Sequence, residues 1–194
     1  MTMPFDANTD VSNEALLVAF GNGDRVAARE LTMRLTPRIV GFATRILGDR
    51  AEAEDVAQDA MMRLWKVAGE WRQGEAKVTT WLYRVVSNLC TDRLRRRRSV
   101  GLDTISDPPD DTPSAEAGMV QSQRNSALND AVLNLPERQR QAVVLRHIED
   151  MANPEIAEVM NISVEAVESL TARGKRALVT ALAGRRGELG YEDD

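Results

Sequence analysis

Residues 153–176 read NPEIAEVMNISVEAVESLTARGKR, and the character of the fold depends on how this stretch divides. Ile156, Met160, Ile162, Val167 and Leu170 have the spacing required by two short helices that cross steeply over a shared core. Ala157 sits where the second helix presses closest and only a small side chain fits. Asn161 occupies the turn position that needs a left-handed backbone, which asparagine tolerates better than other non-glycine residues. Ser163 then caps the second helix, its side-chain oxygen accepting from the free amides of the first turn. An ordinary helical hairpin can imitate this hydrophobic spacing. The basic residues Arg173, Lys175 and Arg176 at the far end favour DNA, because phosphate contacts supply most of the binding affinity. The stretch is read as a DNA-binding helix-turn-helix.

Working outward, a chain of 194 residues accommodates one medium domain or two small ones. Aromatic residues are only 4%, and the apolar side chains are mainly Ala, Leu, Val and Met, which suit packed helices. The fold class expected is all-α: two small helical domains joined by a flexible acidic linker, with the helix-turn-helix in the second. The single cysteine, Cys90, and single histidine, His147, exclude an intrachain disulfide framework or a Cys/His metal cluster, and fit a reducing, cytoplasmic setting. No apolar run approaches the roughly 20 residues that span a bilayer, and the acidic, polar N-terminus does not resemble a signal peptide. Net charge is −5, which argues against indiscriminate coating of nucleic acid. The charge is unevenly distributed: Arg93 and Arg95 to Arg98 cluster together, and then Asp103, Asp107, Asp110, Asp111 and Glu116 follow with no basic residue before Arg124.

The boundaries follow from pattern. Residues 1–11 are a flexible N-terminus, and 12–98 a first helical domain. Leu16, Leu17 and Phe20 share a face there, and Ala27, Leu31 and Leu35 recur at helical spacing after a turn at 21–24. Pro37 permits a new first turn, so two or three helices are expected up to Gly48. Asp49 and Glu52 form a carboxylate capping box for a helix running to about Ala68. Val56, Ala60, Leu64 and Val67 face inward on it, and Asp55, Gln58, Asp59 and Met62 outward. Thr79 is a plausible N-cap for a long helix ending near Arg98. Residues 99–118, with Pro108, Pro109 and Pro113 among acids, bury too little apolar surface to order themselves and read as the linker. Residues 119–183 form the second domain and 184–194 a flexible tail.

On the long helix, Arg84, Asn88, Thr91, Arg95 and Arg98 advance in steps of four and three and so share one face. Such a stripe can follow a phosphate backbone while offering amide and hydroxyl groups to base edges, although most charged faces are simply solvated. Trp71, Lys77 and Thr79 in the preceding loop are the kinds of residue that hold an unstacked base. Tryptophan is more often a core residue, and Trp65 and Trp81 are assigned to the core first.

Three strings, ILGDRAEAEDVAQDAMMRLWK (46–66), TTWLYRVVSNLCTDRLRRRR (79–98) and LPERQRQAVVLRHIEDMANPEIAEVMNISVEAV (135–167), occur in the order found in the extracytoplasmic-function group of bacterial sigma factors. With the acidic linker between them, the chain closely resembles that family over about residues 12–182. The resemblance implies an alternative sigma factor that binds core RNA polymerase, recognises minus-35 and minus-ten promoter elements, helps melt the promoter, and is restrained by an anti-sigma factor. It implies that Asn88 reads a flipped minus-ten base, supported by Lys77, Arg84, Thr91, Arg95 and Arg98. Asp55, Gln58, Asp59 and Met62 would dock on the polymerase, and the helix from Ser163, with Glu165, Glu168, Arg173, Lys175 and Arg176, would read the minus-35 element. The chain differs from the commonest family pattern at Glu168 and Leu170, where basic residues are frequent, and at Thr171, where an aliphatic is usual. Glu165 suits the positive end of the helix dipole better than a base contact. No cofactor, metal, small-molecule substrate, membrane insertion or enzymatic activity is implied. Two other classes compete. A free-standing helix-turn-helix regulator leaves Lys77, Asn88 and the arginine stripe unexplained. A metal-dependent nuclease built on Asp55 and Asp59 lacks a supporting constellation.

Overall fold

The computed structural model describes residues 11–72, 74, 76–100 and 127–183, and every regular element among them is helical. The chain is all-α, with two small helical domains. The first contains α1 (Asn13–Gly21), α2 (Arg25–Leu47), α3 (Arg50–Val67), a short 3-10 turn (Ala68–Glu70) and α4 (Val78–Val100). The second contains α5 (127–133), α6 (Glu137–His147), α7 (Asn153–Met160) and α8 (Val164–Ala183). The predicted acidic linker lies outside the described residues from 101 onward, as do most of the predicted N-terminus and the whole predicted tail. Among the described residues no helix is long and apolar enough to cross a membrane.

Helix starts in the first domain are set by side chains that satisfy the orphan amides of the first turn. Ser12 Oγ accepts from Ala15 N at 3.2 Å, and Asp24 Oδ1 accepts from Val26 N at 2.8 Å. Asp49 Oδ1 accepts from Glu52 N at 2.9 Å, as the capping box anticipates. The returning half of that box is absent, because the Glu52 carboxylate is taken by Arg97 at 2.9 Å. Thr79 does not cap α4. The helix begins one residue earlier, and Val78 N donates to Glu14 Oε1 on α1 at 2.9 Å. A carboxylate brought by another helix also opposes the positive end of the dipole, so capping from a distance replaces capping from within.

Pro37 does not begin a helix; α2 runs unbroken from Arg25 to Leu47 with the proline inside it. The missing N–H would have bonded to the carbonyl of Met33, a residue 63% exposed, so the loss falls on the watered side of the helix. The opposite side carries Leu31, Leu35, Ile39, Phe42 and Ile46, all buried. Burial of each such side chain contributes about 1.5–3 kcal/mol, and together they outweigh one lost bond. Gly48 ends the helix in the left-handed region at φ 71°.

The inward residues expected on α3 hold: Val56, Ala60 and Leu64 are buried, with Val67 packed at the core's edge. Trp65 and Trp81 are only partly buried. Trp65 stands edge-on to Phe20 with ring centroids 4.8 Å apart, and Trp81 edge-on to Trp71 at 6.1 Å. The two domains lie against one another, with α7 packed on α4 and α6 on α2. Their buried residues join into one continuous apolar cluster.

Replacing Glu14 with alanine removes the cap of α4 and leaves Val78 N–H without its acceptor. We expect a loss of about 1 kcal/mol in urea unfolding, with Glu14→Gln losing less because its amide oxygen can still accept.

Candidate nucleic-acid interface

The helix-turn-helix folds as its sequence dictates. Pro154 stands in the first turn of α7, where a missing N–H costs nothing, and Glu155 Oε2 accepts from Ala152 N at 2.9 Å. Asn161 closes the helix in the left-handed conformation, φ 51° and ψ 54°. Ser163 Oγ accepts from Ala166 N at 3.3 Å and opens α8. Ile156, Met160 and Val167 are buried, and Ala157, Ile162 and Leu170 pack at their edge. Gly174 is buried beneath α6, where a Cβ would come within 2.5 Å of Val143 Cγ2; the close seating of α8 on α6 needs the hydrogen. Sequence reasoning passed over this glycine, and a lone glycine inside an otherwise continuous helical pattern was its signal.

Ser163, Glu165, Glu168, Arg173, Lys175 and Arg176 are all exposed on α8. Glu165 lies in the first turn. Hydrogen bonds from its own backbone N–H and the Ser163 hydroxyl hold its carboxyl below the usual range. That geometry suits the end of the helix rather than a cytosine amino group. Thr171 Oγ1 is buried and has no hydrogen-bond partner among the described residues.

On α4, Arg84, Asn88 and Arg95 are exposed along one face, and Arg95 also reaches Asp92 at 3.0 Å. Lys77, Thr91 and Arg98, by contrast, are engaged by the second domain. Lys77 Nζ lies 2.7 Å from Glu155 Oε1. The hydrogen bond and the charge of Glu155 raise the lysine's pKa, and the same bond lowers that of the glutamate. Arg98 NH2 lies 2.8 Å from Glu137 Oε2, and Thr91 Oγ1 accepts from Gln141 Nε2 at 3.1 Å. The arginine cluster is therefore only partly free for DNA. Arg97 donates to the Leu47 carbonyl at 2.9 Å, tying the end of α4 to the end of α2. Arg93 lies 3.6 Å from Asp55.

Trp71 Nε1 is buried without a partner among the described residues. A cleft of about 230 Å³ beside it is lined by Val67, Glu70, Trp71, Arg72, Ala76 and Trp81. Lys77 faces a separate and larger cleft between the domains, about 720 Å³, whose acidic lining includes Glu14, Glu155 and Glu158. The structure therefore separates the tryptophan and the lysine that the sequence had grouped.

Asp55, Gln58, Asp59 and Met62 stand exposed on α3, spaced along one side, and Met62 is 51% exposed. Cys90 is buried, and burial pushes its thiol up to about 12. His147 is exposed at the end of α6.

Residues 31–100 match the family described as Sigma-70 region 2, and residues 126–178 the one described as Sigma-70, region 4. The ECF RNA polymerase sigma factor SigW of Bacillus subtilis is 30% identical over 167 residues, covering 80% of this chain and 89% of that protein. The sigma factor SigM of Mycobacterium tuberculosis is 30% identical, covering 92% and 88%. The RNA polymerase sigma-H factor of Pseudomonas aeruginosa is 29% identical, covering 90% and 95%. Among solved structures, CnrH bound to the cytosolic domain of CnrY shares the fold with a TM-score of 0.65 at 22% identity, covering 89% of this chain and 97% of that one. The sigma factor RpoE bound to the anti-sigma factor NepR, from Bartonella quintana, does so with 0.63 at 19%, covering 80% and 96%. Matches to both sigma-70 regions on one helical chain define a sigma-70-type transcription factor. Within that class, this chain belongs to the extracytoplasmic-function RNA polymerase sigma factors.

Thr171→Val keeps the shape and removes the unsatisfied hydroxyl. We expect a gain of about 1 kcal/mol in stability, measured by chemical unfolding.

Proposed function

We propose that the chain joins core RNA polymerase and supplies promoter specificity, reading a minus-35 element through α8 and a minus-ten element through α4, with no chemistry of its own. The observation that carries this reading is the occurrence on one chain of two exposed polar helix faces built for different tasks. One is the outer side of a helix-turn-helix with its left-handed Asn161. The other is the row Arg84, Asn88 and Arg95 on a helix bordered by a tryptophan-lined cleft. The first suits intact duplex, whose major groove admits a helix. The second suits a separated strand, where stacking and a basic track hold bases that have left the duplex.

Asn88 is the residue assigned to base reading, since its side-chain amide both donates and accepts and can match a base edge. Arg84 and Arg95 flank it as phosphate contacts. Lys77, Thr91 and Arg98 join them once released from the second domain. On α8, Arg173, Lys175 and Arg176 supply phosphate contacts and Ser163 and Glu168 face the groove, whereas Glu165 serves the helix end. Asp55, Gln58, Asp59 and Met62 form the polymerase-docking face, a mixed polar and apolar strip that begins one turn beyond Glu52, the residue paired with Arg97. The segments 12–98 and 119–183 are the two functional domains. Residence in the cytoplasm, beside the polymerase, follows from this role. Because the solved relatives were captured with CnrY and with the anti-sigma factor NepR, we extend anti-sigma control to this chain.

The direct test is transcription by core polymerase plus this chain on a genomic promoter library. Start sites sharing two spaced elements are the expected result, and failure to initiate anywhere removes the role. Asn88→Ala should relax preference at one minus-ten position by about 1–3 kcal/mol and leave affinity for core polymerase within twofold. Parallel loss of polymerase binding would show that the two faces are not separate.

A further inference from the structure

Among the described helices, α1, α2, α3 and α8 each begin on a side chain that accepts from their own first turn. Ser12, Asp24, Asp49 and Ser163 supply these oxygens, as the preference for short oxygen-bearing residues at this position requires. The reader helix α4 is different. Its first helical bond runs from Trp81 N to the Lys77 carbonyl at 3.1 Å, which puts Lys77 in the capping position. A lysine is poorly suited to that position. Its ammonium donates three times and accepts nothing, and its charge is repelled by the positive end of the helix dipole.

The missing acceptor comes from α1. Glu14 Oε1 takes the Val78 N–H at 2.9 Å, and its negative charge offsets both the dipole and the lysine. Glu155 chiefly, through its hydrogen bond, and Glu14 more weakly raise the Lys77 pKa. Val78 is completely buried, so water cannot stand in for Glu14, and an amide left bare there is costly. The loop before α4 is thereby held at both ends: Trp71 stands edge-on to Trp81, and Val78 is tied to α1. Lys77 is the last residue of that loop, and its side chain, 68% exposed, does nothing to hold the turn it sits on.

We infer that Glu14 is a positioning residue for minus-ten recognition: by capping α4 from another helix it lets a phosphate-binding lysine occupy the place where a serine or aspartate would otherwise be needed. The inference rests on the assignment of Lys77 to the minus-ten strand. Glu14 itself, a carboxylate, has no affinity for a phosphate backbone and acts only through the turn it fixes. Without it the first turn of α4 frays, and apparent affinity for the strand falls by the fraction of chains in which Lys77 is out of place.

The test uses full-length variants assembled with core polymerase. Each is titrated against a fluorescent fragment from an identified start site, duplex through the minus-35 element and single-stranded across the minus-ten element. Glu14→Ala should weaken binding about fivefold, whereas Glu14→Gln, which keeps the acceptor, should stay within about twofold of the parent. On a duplex that stops short of the minus-ten element both should match the parent. Asp24→Ala removes a cap of the same kind from α2 and controls for lost stability; it should leave binding to the single-stranded fragment within about twofold. Beside Lys77→Ser, whose hydroxyl can cap α4 from within, Glu14→Ala should lower stability in urea by less than half of what it does in the parent.

Unchanged binding in Glu14→Ala, an equal loss in Asp24→Ala, a loss in Glu14→Gln as large as in Glu14→Ala, or an undiminished effect of Glu14→Ala beside Lys77→Ser would each overturn the inference. Where the two positions couple in urea yet the chain initiates transcription nowhere, the promoter role fails and the inference with it, and only the cap remains. A chain that initiates, with binding indifferent to Glu14, loses this inference alone.

Discussion

Tyr83 presents its hydroxyl to Glu149 from a position where only 2% of the residue reaches water. Its ring stands edge-on to Phe42 of α2 at 5.3 Å. Burial raises the phenol's pKa well above its ordinary value, with the nearby carboxylate adding to the effect, so the hydroxyl keeps its proton and remains a donor. Glu149, 8% exposed, has that donor and Arg38 as its compensation for leaving water. Leaving a buried acceptor without its donor costs about 1–3 kcal/mol, and more when the acceptor is charged. The ring belongs to the core of the first domain and its hydroxyl to the second, and the fit of α4 between them is organised around this one residue.

Sharing α4 divides its circumference into three parts. Val78, Leu82 and Val86 face the apolar core, and Arg84, Asn88 and Arg95 face water. Tyr83 and Thr91 lie where the second domain arrives. The helix is held at both ends by other elements, through Glu14 at the start and Arg97 near the finish. A rigid, doubly anchored helix suits a reader whose side chains must be held at fixed spacing.

Much of this was legible beforehand because it is local. The left-handed Asn161, the Ser163 cap, the Asp49 cap and the inward face of α3 depend on residues within four positions of one another, and sequence periodicity encodes such relations directly. What was missed is long-range. Glu14 capping α4, Arg97 closing on the carbonyl of Leu47, and the seam made by Arg38, Tyr83 and Glu149 join residues from 50 to 111 positions apart, and no window along the chain holds both partners. Pro37 misled for a different reason. A local rule about a missing N–H yields when a long apolar face, buried as a unit, carries more free energy than one bond. Thr79 was misassigned because a distant carboxylate took over the work of a local hydroxyl.

Cys90 lies at full burial within α4, and burial holds its thiol so far above the ordinary range, near 12, that almost none of it is ionised at neutral pH. It is also the chain's single sulfhydryl. Oxidants and alkylating agents attack the thiolate, and this polypeptide offers almost none. A redox stimulus that works through a thiol would therefore have to use the thiol of some other molecule and reach the sigma factor as a change in what binds it.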